Sequence, residues 1–201
     1  GSRLREEGAA WGLTDRLFSV VEDVESDVGE AASKLVAQDL DADGDVDLLF
    51  LRMDTGPTLH ENDGAGRFVP RGTVLDASSL RQPSWLPDGV EAIWFLSLSA
   101  VDLNGDGLPE IVTTGFGRGE YWPNEGGLSW GDPVPLPVSD APLEFSTTIT
   151  FGDADGDGRL DALVPTQMMT QNPTPNAAHR LLLQRADGTF EHATSLVITP
   201  E

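Results

Sequence analysis

The sequence predicts an all-β fold built from three four-stranded antiparallel units. Three observations carry that expectation. An acidic nonapeptide occurs three times, as Asp39–Asp47, Asp102–Glu110 and Asp153–Asp161. Each copy lies between two extended apolar runs, and each is followed by a second pair of extended runs joined at a Gly-containing turn. Apolar runs bounded by turn formers signal strands, and an Asx-Gly pair between two such runs signals a hairpin, because glycine accepts positive φ.

Taken in chain order, the first unit comprises Ser33–Gln38, the acidic loop, Leu48–Leu51, Thr58–Gly64 and Arg67–Arg71. The second comprises Ile93–Val101, its loop, Ile111–Thr114, Glu120–Gly126 and Leu128–Trp130. The third comprises Phe145–Phe151, its loop, Ala162–Val164, Arg180–Gly188 and Thr189–Ala193. Whole units cover about residues 33–72, 93–131 and 145–194, with 1–32 read as the tail of a preceding unit, so that 1–201 form one segment. The loops begin at 39, 102 and 153, spacings of 63 and 51 residues, in the range where periodic sequence marks propellers and solenoids. Four strands per unit with the acidic loop between the first and second describes β-propeller blades. A closed propeller takes about four to eight blades. The expectation is therefore a segment of a larger propeller, or a chain sharing strands with a partner, its open blade edges offering a route to self-association.

The loops carry the chemistry. Oxygen-bearing side chains recur at positions 1, 3, 5 and 9 with glycine at position 6 (Gly44, Gly107, Gly158). This spacing lets a short loop fold its oxygens around a hard cation that takes six to eight of them. An EF-hand needs a bidentate Glu at position 12 and flanking helices. Here position 12 is Phe50, Thr113 and Val164, and the flanks read as strands. By motif position the first ion takes Asp39, Asp41, Asp43, the carbonyl of Asp45, and Asp47. The second takes Asp102, Asn104, Asp106, the Leu108 carbonyl and Glu110; the third takes Asp153, Asp155, Asp157, the Arg159 carbonyl and Asp161. Up to three Ca2+ ions are expected. Magnesium prefers a stricter octahedron and keeps its waters, and zinc wants His or Cys, which the loops lack. With a neutral Asn104 and a longer Glu110, the second loop should bind most weakly. A solvated Asp/Gly turn with no ion is the competing reading; threefold repetition in one register weighs against it.

The Asp-x-Asp/Asn-x-Asp-Gly-x-x-Asp/Glu loops between a small-apolar strand and an apolar strand, followed by the Asn-x-Gly turns at Asn62 and Asn124, resemble the FG-GAP/VCBS repeat of integrin-α-like calcium-binding propellers. The resemblance covers most of the chain. Arg5–Thr14 is similar to the tail that follows a fourth strand in bacterial members, which implies that the array begins before residue 1.

Composition narrows the function. The 34 acidic residues outnumber 12 basic ones for a formal charge of −22, and twelve of the acids lie in the three loops. Three divalent ions would leave the chain clearly acidic, which excludes nucleic acid and anionic membrane surfaces as partners. No 18-residue apolar run is present, so membrane insertion is not expected. Cysteine is absent and says nothing of redox compartment. Gly1-Ser2 reads as a cloning remnant, so the lack of a leader at that point has no bearing on location.

No Gly-x-Ser-x-Gly elbow, phosphate-binding Gly-Lys loop, dinucleotide fingerprint or His-Glu-x-x-His is present. His60, His179 and His192 are scattered and form no metal triad. Of the tryptophans, Trp94, Trp122 and Trp130 read as blade packing, whereas Trp85 in a Pro-flanked loop is the candidate for an exposed contact; Trp11 lies in the N-terminal tail. The long segments 73–92, 135–143 and 167–179 read as loops. The expected function is non-enzymatic: a calcium-stabilised binding or scaffold module that recognises a protein or glycan ligand. Calcium sites of modest affinity suit an extracellular, cell-surface or periplasmic location. The alternatives are the propeller portion of a polysaccharide-degrading enzyme and a purely structural spacer in a large surface protein.

Overall fold

A computed structural model describes residues 32–52, 56–75, 95–138, 144–168 and 179–193. Within them lie three four-stranded antiparallel sheets. In the first blade, β1 (Ala32–Gln38), β2 (Asp47–Arg52), β3 (Gly56–Asn62) and β4 (Phe68–Thr73) pair in sequence order. The second blade runs outward from β5 (Phe95–Val101) through β6 (Glu110–Gly115) and β7 (Arg118–Trp122) to β10 (Val134–Pro135). The third contains β12 (Thr150–Gly152), β13 (Asp161–Val164), β15 (Arg180–Gln184) and β16 (Phe190–His192). Each acidic loop joins the first strand of its blade to the second, as expected. Among the described residues there is no helix, and so none long and apolar enough to cross a membrane.

The strand pleat explains the stacking. Successive side chains point to opposite faces, and β6 is buried on both: Ile111 joins one apolar cluster and Val112 the other. The first cluster takes Leu49, Leu51 and Leu59 from the first blade with Phe95, Leu98 and Trp122 from the second. Val112 meets Ala162, Val164 and Leu182 of the third blade in the second cluster. Burying a leucine of this kind contributes roughly 2 kcal/mol. The middle blade is thus the filling of a three-layer stack.

Two expected strands differ. The fourth strand of the second blade is Val134–Pro135, not Leu128–Trp130. The latter segment pairs instead with Asn124–Gly126 as a separate hairpin, β8 (Asn124–Gly126) with β9 (Ser129–Trp130). Pro123 lacks an N–H to continue the ladder, and the Asn124 side chain is drawn away toward the preceding blade, donating to the carbonyl of Leu40 at 2.8 Å. The vacated edge is taken by 134–138, whose approach requires Gly119: a Cβ there would lie 2.8 Å from Val138. The run Phe145–Phe151 is also interrupted, giving β11 (Glu144–Phe145), paired with β14 (Gln167–Met168), and then β12. Ser146 ends β11 by setting its hydroxyl between the carbonyls of Thr148 and Pro165 at 2.6 and 2.8 Å, its one proton shared between them, a side-chain alternative to the ladder.

Trp122 is buried against Phe95, edge to face, and Trp130 packs on the same cluster, as expected of blade packing. His60 is buried in β3 against the Phe50 ring, whereas His179 and His192 are exposed. Trp11, Trp85, Trp94, the tail 1–31 and most of the segments 73–92 and 167–179 lie outside the described residues.

Candidate metal centres

The three loops share one hydrogen-bond scheme. The carboxylate at position 1 gathers the N–H groups of the turn that follows it. Asp102 accepts from Gly105, Asp106 and Gly107 at 2.7, 3.2 and 2.9 Å. Asp153 accepts from Gly156, Asp157 and Gly158 at 2.7, 3.1 and 3.0 Å. Asp39 accepts from Gly44 at 3.0 Å. Position 3 then accepts from the N–H of position 5, and position 5 from that of position 7, in all three copies. These are Asx turns, which Asp and Asn form because a short side chain reaches its own backbone two residues on. The ladder turns the carboxylates inward.

Position 6 has φ of +96, +88 and +87° at Gly44, Gly107 and Gly158, as its glycine implied. Position 4 is left-handed too, with φ of +62, +79 and +83° at Ala42, Gly105 and Gly156. Glycine in two of the three copies was the available signal for that second reversal.

Position 9 does something the spacing did not disclose. Asp47 accepts the N–H of Leu40 within its own loop at 3.1 Å and that of Asn62 on β3 at 2.8 Å. Asp161 repeats this with Ala154 at 2.8 Å and Gln184 at 2.9 Å. Glu110 accepts from Leu103 at 2.7 Å and from the backbone of Asn124. All three carboxylates are buried; Asp47 and Asp161 fasten loop to third strand, and Glu110 fastens its loop to β8 just beyond the third strand. Since each carboxylate oxygen has two lone pairs, this leaves capacity for an ion.

The expected ligands are brought together to different degrees. In the first loop Asp39, Asp41 and Asp43 each offer an oxygen within 4.8 Å of the others. Asp39 Oδ1 is buried there with no hydrogen-bond partner. The Asp45 side chain turns instead toward Gly64, where a Cβ would lie 2.9 Å from its Oδ2. In the third loop the cluster is Asp153, Asp155 and Asp161, while Asp157 pairs with the Arg159 guanidinium. In the second loop the Asn104 amide nitrogen donates to Asp106 at 3.0 Å and to Glu110 at 3.3 Å, placing a neutral donor between the two carboxylates. Burial, followed by the neighbouring carboxylates, pushes the Asp41, Asp47 and Glu110 carboxyls above their usual range, opposed by the N–H groups they accept. Like charges held together and partly dried are relieved by a cation between them. An orphaned buried oxygen within an all-oxygen donor set fits a hard cation and not a soft one.

Beside the first loop, between β3–β4 and the β8–β9 hairpin, lies a cleft of about 610 Å³ lined by Asp41, Leu59, Glu61, Arg71, Thr73 and Trp130, among others.

No curated protein matches the chain. Among solved structures it is similar to one described as the basis of specific recognition of non-reducing terminal N-acetylglucosamine by an Agrocybe aegerita lectin, with a TM-score of 0.57 and 19% identity. The alignment covers 84% of this chain and 40% of that one, so the chain spans less than half the length of its structural neighbour. At that identity the likeness is one of fold. The FG-GAP-like repeat family matches residues 39–113 and 102–164, an interval that holds all three loops and most of their flanking strands. With the same loop, Asx ladder and strand order found in each blade, the chain belongs to the FG-GAP-like repeat family.

Proposed function

We propose that the chain is a calcium-stabilised, non-catalytic binding or scaffold module of an extracellular, cell-surface or periplasmic protein, whose ligand is a protein or a glycan. The observation that carries the calcium reading is the first loop. Asp39, Asp41 and Asp43 converge there, and Asp39 Oδ1 is buried without a partner. In this reading Asp39, Asp41, Asp43 and Asp47 hold the first ion, Asp102, Asn104, Asp106 and Glu110 the second, and Asp153, Asp155, Asp157 and Asp161 the third. The carbonyls of Asp45, Leu108 and Arg159 complete the sets. When bound, the ion cancels carboxylate repulsion and fixes the loop that joins two strands.

The ligand reading is supported by the interblade cleft. It places Trp130 beside a carboxylate and guanidinium pair, Glu61 with Arg71, in a lining that is mostly polar. Asp41 and Glu61 outweigh Arg71, which disfavours anionic ligands.

Thermal melts of the chelator-stripped chain with and without millimolar CaCl2 test the metal reading. Ligand bound only to the native state raises the melting temperature by mass action, here by several degrees. An unchanged melt would sink it. A glycan array and a pull-down with the calcium-loaded chain then test the ligand.

A further inference from the structure

We infer that the three loops do not take up cations independently: Asn124 and Gln184 couple each loop to the next, so that an ion in one raises the affinity of its neighbour. The inference rests on the calcium reading above and concerns how those sites are regulated.

Two amides cross between blades at equivalent places. The side chain of Asn124, in β8 just beyond the second blade's third strand, donates to the carbonyl of Leu40 in the first loop at 2.8 Å and to that of Pro109 in its own loop at 3.0 Å. The side chain of Gln184, in the third blade, donates to the carbonyl of Leu103 in the second loop at 2.9 Å. In both cases the acceptor is the residue at loop position 2 of the preceding blade. The backbone N–H of each bridging residue donates in turn to the position-9 carboxylate of its own blade, Asn124 to Glu110 and Gln184 to Asp161. The position-2 residues are also held by their N–H groups, Leu40 by Asp47 and Leu103 by Glu110.

These links join into one line: Asp47, Leu40, Asn124, Glu110, Leu103, Gln184, Asp161. Each successive pair is hydrogen-bonded, and every member is buried. A buried amide that loses its acceptor carries a desolvation cost, so tightening at one member is passed on to the next. An ion that draws Asp47 inward fixes Leu40, and through it Asn124 and Glu110. The second loop then has less disorder to surrender when its own ion arrives, which is positive coupling through conformational entropy. Asn124 and Gln184 touch no ion in this scheme and act as positioning residues.

The test is a double-mutant cycle read at the second loop. Amide hydrogen exchange of residues 102–110 is followed as CaCl2 is added to the chelator-stripped chain. Asp155→Ala, which cripples the third loop and lies off the line, is expected to raise the calcium midpoint for 102–110 about fivefold or more. In a Gln184→Leu background that shift is expected to vanish. Gln184→Met, closer in volume and equally without a donor, should give the same result, so a packing fault in one variant does not decide the matter. An unshifted midpoint in Asp155→Ala, or a shift that survives in Gln184→Met, overturns the coupling. Absence of any calcium-dependent protection in the wild type would overturn the calcium reading itself, a separately recognisable failure.

Discussion

The Asp161 carboxylate accepts the backbone N–H of Gln184 at 2.9 Å, across 23 residues and from one strand to another. Its other oxygen accepts the N–H of Ala154 at 2.8 Å. Asp161 is therefore a structural tether whether or not an ion is present, whereas Asp155, among the described residues, accepts only from its own turn. Asp161→Ala, which strands the buried N–H of Gln184 and releases the more exposed one of Ala154, should destabilise by on the order of 1 to 3 kcal/mol in chelator as well as in calcium. Asp155→Ala should cost stability chiefly in calcium. Urea denaturation under both conditions separates the two; equal behaviour would contradict the tether.

Ala42 sits at φ +62°, where the other loops have Gly105 and Gly156. A Cβ is strained in the left-handed region by roughly 1 kcal/mol. Ala42→Gly is therefore expected to raise stability by up to about 1 kcal/mol, and Gly105→Ala to lower it by a similar amount, read as opposite shifts in the denaturation midpoint. The gain at Ala42 is trimmed by the greater unfolded-state freedom of glycine.

Asn104 places a neutral amide where the first and third loops have Asp41 and Asp155. Restoring a carboxylate with Asn104→Asp removes two donors and adds a charge beside Asp106 and Glu110. The variant should melt lower than wild type in chelator and bind calcium at that loop several-fold more tightly. Calorimetric titration checks the second half. A gain in affinity with no loss in chelator would mean the carboxylates do not repel.

Burial pushes the Glu120 carboxyl above its usual value against the opposing pull of Arg118. Glu120 is only 5% exposed. A carboxyl whose folded-state pKa lies above the unfolded one binds its proton more tightly when folded. That contribution is full below the unfolded value of 4.5 and is lost as pH rises through the folded value. Glu120→Gln, neutral throughout, should therefore gain on the wild type as pH climbs from about 4 to about 7, measured as the difference between their melting temperatures in chelator. A constant difference would show that the Arg118 pair fully offsets the burial.

Much of this was legible in the sequence. Loop positions, the strands on either side of them and the three repeated four-stranded units follow from local rules, because an Asx turn or a hairpin glycine acts within a few residues. The second-blade hairpin was not legible, since what pulls Asn124 out of line is the Leu40 carbonyl in another blade. Nor was the fate of equivalent leucines. Leu49 and Leu163 share a register, two residues beyond the position-9 carboxylate, yet Leu49 is 0% exposed and Leu163 is 38% exposed. One faces the second blade; among the described residues no further blade faces the other.

The amino-acid order by itself determined the all-β character, the repeat and the oxygen-lined loops, since strand alternation, glycine placement and carboxylate spacing are properties of neighbouring residues. Only the tertiary structure decided which carboxylates converge, which instead tie a loop to a strand, and how one loop's carbonyl comes to be held by the next blade's amide. Those outcomes depend on groups far apart in the chain, and their partners are chosen by the packing of one sheet against another.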